Sequence, residues 1–327
     1  MMRMRGFVTG ATGFIGQRLV SRLIEKGWDV TALVRNTTHT LPNKVKVIKG
    51  DILQPDTFED SGMGADIVYH LAALISFNYK KKDEMIKVNA RGTANILKLA
   101  RLWGVKCSVV VSSACTIGLS YSPDNVLDEN AAYNEALIKR NPYMQSKVMA
   151  EQEALAVADK QHVTIVNPTT VYGPGDFRLN SGTLIKKISN SSFLPVPPGG
   201  SNVIDVDDVV EGIIMAAEKG NSGKRYILGN ENMPFSRIFS DIVEVTGCNP
   251  IMFPIPYFIK QPFSIAVDIV GRIINSGFIT RQVIEDMFYF KYYSNNLAVR
   301  ELGWRPIYSF RNSVERAWDF YKRHGIL

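Results

Sequence analysis

The chain has 327 residues, enough for one large core or two modest domains, and its composition of 46% hydrophobic and 21% charged residues excludes a disordered or fibrous protein. A net charge of +7 and a pI near 9.2 favour anionic ligands, phosphorylated cofactors included, or an anionic membrane surface. The basic residues are scattered, with "KKK" at 80–82 as the only run of three, which argues against nucleic acid; Cys107, Cys115 and Cys248 lack metal-ligand spacing, so no metal is expected and a reducing cytoplasm is.

"MMRMRGFVTG" is too short and polar for a signal peptide, because "GFVTG" (6–10) already reads as a strand. The stretch 14–27 follows as a helix, with Ile15, Leu19, Val20, Leu23 and Ile24 on one face and Gly27 as its stop. Strands are expected at 28–35, 45–50 and 66–73. A helix is expected from about Lys87 to Trp103, then a strand at 107–113, a helix from 143 and a strand at 162–168. Continuous apolar strands alternating with amphipathic helices imply an α/β fold: a doubly wound parallel sheet with helices on both faces. After 173 the rhythm breaks; 191–200 is a loop, and 202–220 with 224–230 reads as a return to the sheet. This gives a cofactor domain of 1–172 and 202–230 and a smaller substrate domain of 173–201 and 231–327. The apolar stretch 251–279 is interrupted by Lys260, Asp268 and Arg272 and punctuated by Pro254, Pro256 and Pro262. It is not a transmembrane helix; peripheral membrane contact and a hydrophobic pocket are both open, beside ordinary packing.

Residues 10–16, "GATGFIG", space Gly10, Gly13 and Gly16 between the first strand and first helix. Such a turn brings backbone close to a pyrophosphate, and the helix N-terminus offers unpaired N–H groups and a positive dipole end to it. The second strand ends in Val34 and Arg35, with no carboxylate to receive a ribose hydroxyl. Arg35 suits a 2′-phosphate, so NADP(H) is favoured over NAD(H), a surface arginine being the plainer alternative. Asp51, after the third strand, reads either as an adenine contact or as a turn cap.

Asn141 and Pro142 suit the cap and first turn of a helix that carries Tyr143 and Lys147 four residues apart on one face. Tyr143 is the only one of thirteen tyrosines with lysine at +4. A nearby ammonium stabilises phenolate and makes a phenol usable as an acid–base group. The "VVVSS" strand delivers Ser112 and Ser113 to the edge where ligands bind in open α/β sheets. Ser113 is the candidate to align a carbonyl oxygen; Ser112 is its rival.

"VTGATGFIG", "VVVSSA", "YMQSK" and "NPTTVYGPGD" together resemble, in order and spacing, the extended short-chain dehydrogenase/reductase superfamily, and "VIDVDDVVEG", "RYILGNEN" and "ELGWRP" extend the resemblance over nearly the whole chain. The resemblance implies a Rossmann domain binding NAD(P), a C-terminal domain shaping the substrate pocket, and dimerisation through helices near 87–103 and 143–159. It implies Tyr143 as acid/base, Lys147 as its activator and Ser113 as the polariser. Asn89 matches a position near the active site, a helix cap being the alternative. The cofactor-binding residues so expected are Gly10, Thr12, Gly13, Phe14, Ile15, Gly16, Arg35, Asp51, Ile52, Ala72, Ala73, Tyr143, Lys147 and Pro168.

Within the superfamily, "LVRN" and "GKRYILGNEN" look most like the dihydroflavonol-reductase and 3β-hydroxysteroid-dehydrogenase branch. Ala114 and Cys115 stand where sugar dehydratases carry an Asp-Glu pair, and Ser201 and Asn202 where nucleotide-sugar epimerases carry a diphosphate-gripping arginine. Arg178 or Lys186 would have to substitute. The expected function is therefore an NADPH-dependent carbonyl reductase or alcohol dehydrogenase, cytoplasmic and homodimeric, acting on a small carbonyl or alcohol. A nucleotide-sugar epimerase with tightly held NAD is the alternative, and a non-catalytic NADP-binding scaffold a third reading.

Overall fold

A computed structural model describes residues 3–35, 41–76, 79–262, 264–266 and 281–327. Residues 263 and 267–279 of the apolar stretch 251–279 therefore lie outside the described residues. The first half runs β1 (Arg5–Thr9), α1 (Phe14–Glu25), β2 (Asp29–Val34), β3 (Lys46–Lys49), β4 (Ile67–His70), α2 (Lys82–Ile86), a π-helical turn (Lys87–Arg91), α3 (Gly92–Leu102), β5 (Cys107–Val111), α4 (Glu135–Arg140), α5 (Pro142–Leu155) and β6 (Val163–Pro168). Then come β7 (Thr170–Tyr172), α6 (Gly182–Ser189), β8 (Phe193–Val196), β9 (Gly200–Asp205), α7 (Val206–Lys219), β10 (Arg225–Leu228), β11 (Glu231–Pro234), α8 (Phe235–Thr246), β12 (Ile251–Pro254) and β13 (Phe290–Lys291), before a helix at Phe310–Arg323.

Seven strands form one sheet in the order β10-β6-β5-β4-β1-β2-β3, every pairing parallel. The chain winds outward from β1 through β2 to β3, then returns to β4 on the other side of β1. The crevice at the C-terminal ends of β1 and β4 is thus the switch point where such sheets bind ligands.

The strands read as unbroken apolar runs because both faces are covered. In β1, Phe7 faces the layer of Leu99 and Ala100 from α3 and Trp103 just past its end, while Val8 faces Leu19, Val20 and Leu23 from α1. In β5, Val109 joins the α1 and α7 side and Val110 packs with Ala154 of α5. Each large side chain so buried contributes roughly 2 kcal/mol before the entropy of ordering is subtracted.

The second sheet centres on β9, which pairs antiparallel with β11 and parallel with β7 and β13. Residues 202–205, expected to return to the first sheet, are in this one instead; only α7 and β10 return. The reason is the next layer: Val203 of β9 buries itself among Tyr172, Phe235, Phe239 and Phe310 rather than against α1. A small parallel pair, β8 with β12, flanks it. In the reverse sense, Ala298, Leu302 and Trp304 leave the second half of the chain and complete the core of the first sheet. The Trp304 indole donates to the Asp208 carbonyl oxygen at 3.0 Å.

Candidate active site

At the end of β1, Gly10 adopts φ +70°, and a Cβ there would lie 2.6 Å from the Ala72 amide nitrogen. A Cβ on Gly16 would meet the Gly10 carbonyl oxygen at 2.1 Å. Only glycine fits either place, so the turn is closed by sterics and by the Gly13 amide donating to Gly10 O at 3.0 Å. Gly13 caps α1 without any side-chain cap, and the first turn carries no acidic residue. Phe14 and Ile15 open the helix half-buried; Thr12 keeps its carbonyl on the Gln17 side chain at 2.9 Å. An anion meets free amide groups and no opposing carboxylate there, which fits a dinucleotide pyrophosphate.

Arg35 sits just past the C-terminal end of β2, exposed, on the same side as this turn. Asp51 caps its own turn, accepting the Leu53 amide at 2.9 Å. Ile52 is buried against Gly92, and its carbonyl accepts the Asn95 side chain at 2.8 Å. Ala72 lies against the glycine turn and Ala73 is exposed beside it. Pro168 is buried at the end of β6, in register with Leu228.

Asn141 caps α5 by accepting the Met144 amide at 3.0 Å, and Pro142 takes the first position. Tyr143 and Lys147 therefore lie one turn apart, as their spacing required. Lys147 is 5% exposed and donates to the Val111 carbonyl at 2.8 Å, which ties α5 to the end of β5. Burial pushes its ammonium down to about 8, while Cys115 and Glu151 act to hold it up. The Tyr143 phenol moves the other way from the expected activation: burial first, and Cys115 second, push it up, and a hydrogen bond from Ser113 opposes them. Removal from water outweighs the neighbouring dipole, so the phenol holds its proton at neutral pH.

The two serines face apart. Ser113 is half-buried beside Tyr143, and its Oγ accepts the Cys115 amide at 3.3 Å. Ser112 is buried and donates to Glu151 Oε1 at 2.5 Å. Burial raises the Cys115 thiol to about 11, so that this group, standing in the serine turn, is uncharged at neutral pH.

Asn89 is not a cap; it lies inside the π-helical turn. It accepts the Leu74 amide at 2.7 Å and donates to Ser146 Oγ at 2.8 Å, and Ser146 donates to the Tyr143 carbonyl at 2.7 Å. His70 continues the chain, Nδ1 2.7 Å from Thr9 Oγ1 and Nε2 3.0 Å from Thr93 Oγ1. Thr93 donates onward to Asn89 O at 2.6 Å, which fixes His70 as the tautomer protonated on Nε2. Burial and then Lys147 push His70 down to about 3, so it is neutral. Sequence reading did not single out His70 or Glu151. The signal for Glu151 was present: it continues the i, i+4 row Tyr143–Lys147–Glu151.

Among the described residues no helix is long and apolar enough to cross a membrane. The sequence matches the NAD dependent epimerase/dehydratase family over residues 7–229. It is 31% identical to a Synechocystis sp. protein provisionally named dihydroflavonol 4-reductase, over 98% of this chain and 95% of that one. It is 28% identical to sterol demethylase protein B of Methylococcus capsulatus, over 82% and 83% of the two chains. Among solved structures, that of gox2253 superposes with a TM-score of 0.84 at 29% identity, covering 98% of each chain. The chain thus belongs to the NAD dependent epimerase/dehydratase family, in the dihydroflavonol-reductase-like branch of the extended short-chain dehydrogenases/reductases, and is a nicotinamide-dependent oxidoreductase of that kind.

Proposed function

We propose that this protein is an NADPH-dependent reductase of a bulky, hydrophobic carbonyl compound, or the reverse alcohol dehydrogenase. The observation that carries the reading is the meeting of Ser113, Tyr143 and Lys147 at the end of β5, beside the glycine turn. When bound, the nicotinamide supplies hydride chemistry. Gly10, Gly13 and the α1 N-terminus would hold its pyrophosphate, and Arg35 the 2′-phosphate that makes NADP(H) the preferred form. Thr12, Phe14, Ile15, Ile52, Ala72, Ala73 and Pro168 would line its path. Tyr143 delivers a proton to the substrate oxygen, a role suited to a phenol kept protonated by burial. Ser113 donates a hydrogen bond to the same oxygen as charge gathers on it. Lys147 places a positive charge one turn away and holds α5 against β5.

The names of the relatives, one for dihydroflavonol and one for sterol chemistry, support a large apolar substrate. The epimerase reading is weakened at the position where a diphosphate grip is needed. Ser201 and Asn202 are buried and engaged with Thr170 and Asn232, and the Lys186 ammonium is on the Ile326 carbonyl at 2.8 Å. We take the smaller domain to be the substrate domain, and a homodimer to be the working form. The test is NADPH oxidation across a panel of flavonoid and sterol ketones, run beside UDP- and dTDP-sugars. Turnover of the ketones is expected; epimerisation of a sugar nucleotide with no net NADPH use would replace this reading by the alternative.

A further inference from the structure

Glu151 lies one turn beyond Lys147 on α5 and is 0% exposed. Its Oε1 receives Ser112 Oγ at 2.5 Å, Asn167 Nδ2 at 2.6 Å and Thr116 Oγ1 at 2.8 Å. Its Oε2 receives the Tyr133 hydroxyl at 2.8 Å and lies 3.5 Å from Arg225 Nη1. Four separate stretches of chain thus converge on one carboxylate: the serine turn after β5, the end of β6, the loop before α4 and the start of β10.

Two of those partners reach past Glu151 to Ser113. Asn167 Nδ2, with two protons, reaches both Glu151 and the Ser113 carbonyl oxygen, the latter at 3.1 Å, and Thr116 Oγ1 lies 2.9 Å from the same oxygen, its one proton shared between that carbonyl and the carboxylate. The residue before Ser113 is held by its side chain and Ser113 itself by its carbonyl. Only the Ser113 hydroxyl is left to face Tyr143. A purely structural carboxylate would satisfy buried donors anywhere in the core. This one gathers the donors that fix the serine turn, and it shares a helix face with Lys147. The titratable groups facing Lys147 are Cys115 from the serine turn, His70 from the end of β4, and Tyr143 and Glu151 of its own helix; Arg225 and Tyr133 face Glu151 from the far side.

We propose that Glu151 is a positioning residue for the reaction, which orients Ser113 through Ser112, Thr116 and Asn167 and sets its carboxylate one helical turn from Lys147. The proposal rests on the reading of Ser113, Tyr143 and Lys147 as the catalytic set. A further catalytic contact is not implied, because Glu151 reaches neither cofactor nor substrate.

The test compares Glu151→Gln, Glu151→Asp and Tyr143→Phe with the unaltered protein. One readout needs no substrate: the titration of Lys147 by NMR in protein carrying 13Cε-lysine, its signal assigned by loss in Lys147→Met. The other is NADPH oxidation with 9,10-phenanthrenequinone as probe. In Glu151→Gln the Lys147 midpoint falls by about one unit, and kcat falls about tenfold with the KM for NADPH unchanged. Glu151→Asp restores the midpoint but not kcat, because charge returns while the oxygens withdraw. If Glu151→Gln fails to fold, Thr116→Val breaks one relay with the carboxylate in place and lowers kcat alone. Wild-type titration and kcat in Glu151→Gln, or wild-type kcat in Thr116→Val, would overturn the proposal. Full activity in Tyr143→Phe would instead sink the catalytic set, whatever Glu151 does.

Discussion

The glycine turn after β1 and the serine turn after β5 end neighbouring parts of one sheet edge, yet different forces shape them. The first is closed by contact between backbone atoms: Gly16 has no room for a Cβ against Gly10, nor Gly10 against Ala72. The second carries ordinary side chains and is held from below by hydrogen bonds to a buried carboxylate. A steric turn tolerates almost no change of residue but needs only backbone, and no particular side chain, from its partner. A polar turn tolerates change at its surface but fails when a partner far along the chain is lost.

This contrast is sharpened or broken by substitution. Tyr143→Phe is expected to lower turnover by about 10³-fold while NADPH affinity stays within about twofold, measured by fluorescence titration; a normal rate excludes the proposed acid. Ser113→Ala should lower kcat by about 10²-fold at unchanged stability. Ser112→Ala should lower kcat only severalfold, as one relay among three, and lose about 2 kcal/mol in urea unfolding, because its bond goes to a buried carboxylate. Equal kinetic losses for both serines would erase the distinction between them.

Gly16→Ala forces a methyl onto a carbonyl oxygen and should cost about 3 kcal/mol, with cofactor binding lost in proportion. Arg35→Ala should weaken NADPH about tenfold, roughly 1.4 kcal/mol, and leave NADH as it was. The smallest effect is with pH. Lys147 sits at about 8 in the folded chain against an ordinary 10.5. Turnover should therefore decline as pH rises through 8. The stability linked to this group runs the other way: the penalty of burying the ammonium is complete below pH 8 and is relieved between 8 and 10.5.

Local patterns made the parallel sheet, the glycine turn and the Tyr143–Lys147 pair legible in the sequence. Each depends on residues close together in the chain. The membership of β9 was not legible, because an apolar strand after a break does not say which of two sheets it will join. Neither was the support of Ser113. Its partners Glu151 and Asn167 are dozens of residues away, and although Glu151 continues the Tyr143–Lys147 row, spacing alone does not tell it from a solvated glutamate such as Glu153. The direction of the Tyr143 shift was missed for a similar reason. Spacing reveals the ammonium one turn away but not how far both groups are removed from water.

Trp304 has a consequence for how the molecule is made. The strands of the first sheet have all been synthesised by residue 228, yet the indole that seals their core emerges some seventy-five residues later. At 5–20 residues per second, that is a wait of roughly 4–15 s on the ribosome with an apolar cleft uncovered. The nascent chain must spend that interval shielded, and a stop codon at or just before residue 304 would leave the first sheet unsealed as well as the second, whereas one within the helix at Phe310–Arg323 would spare the first sheet.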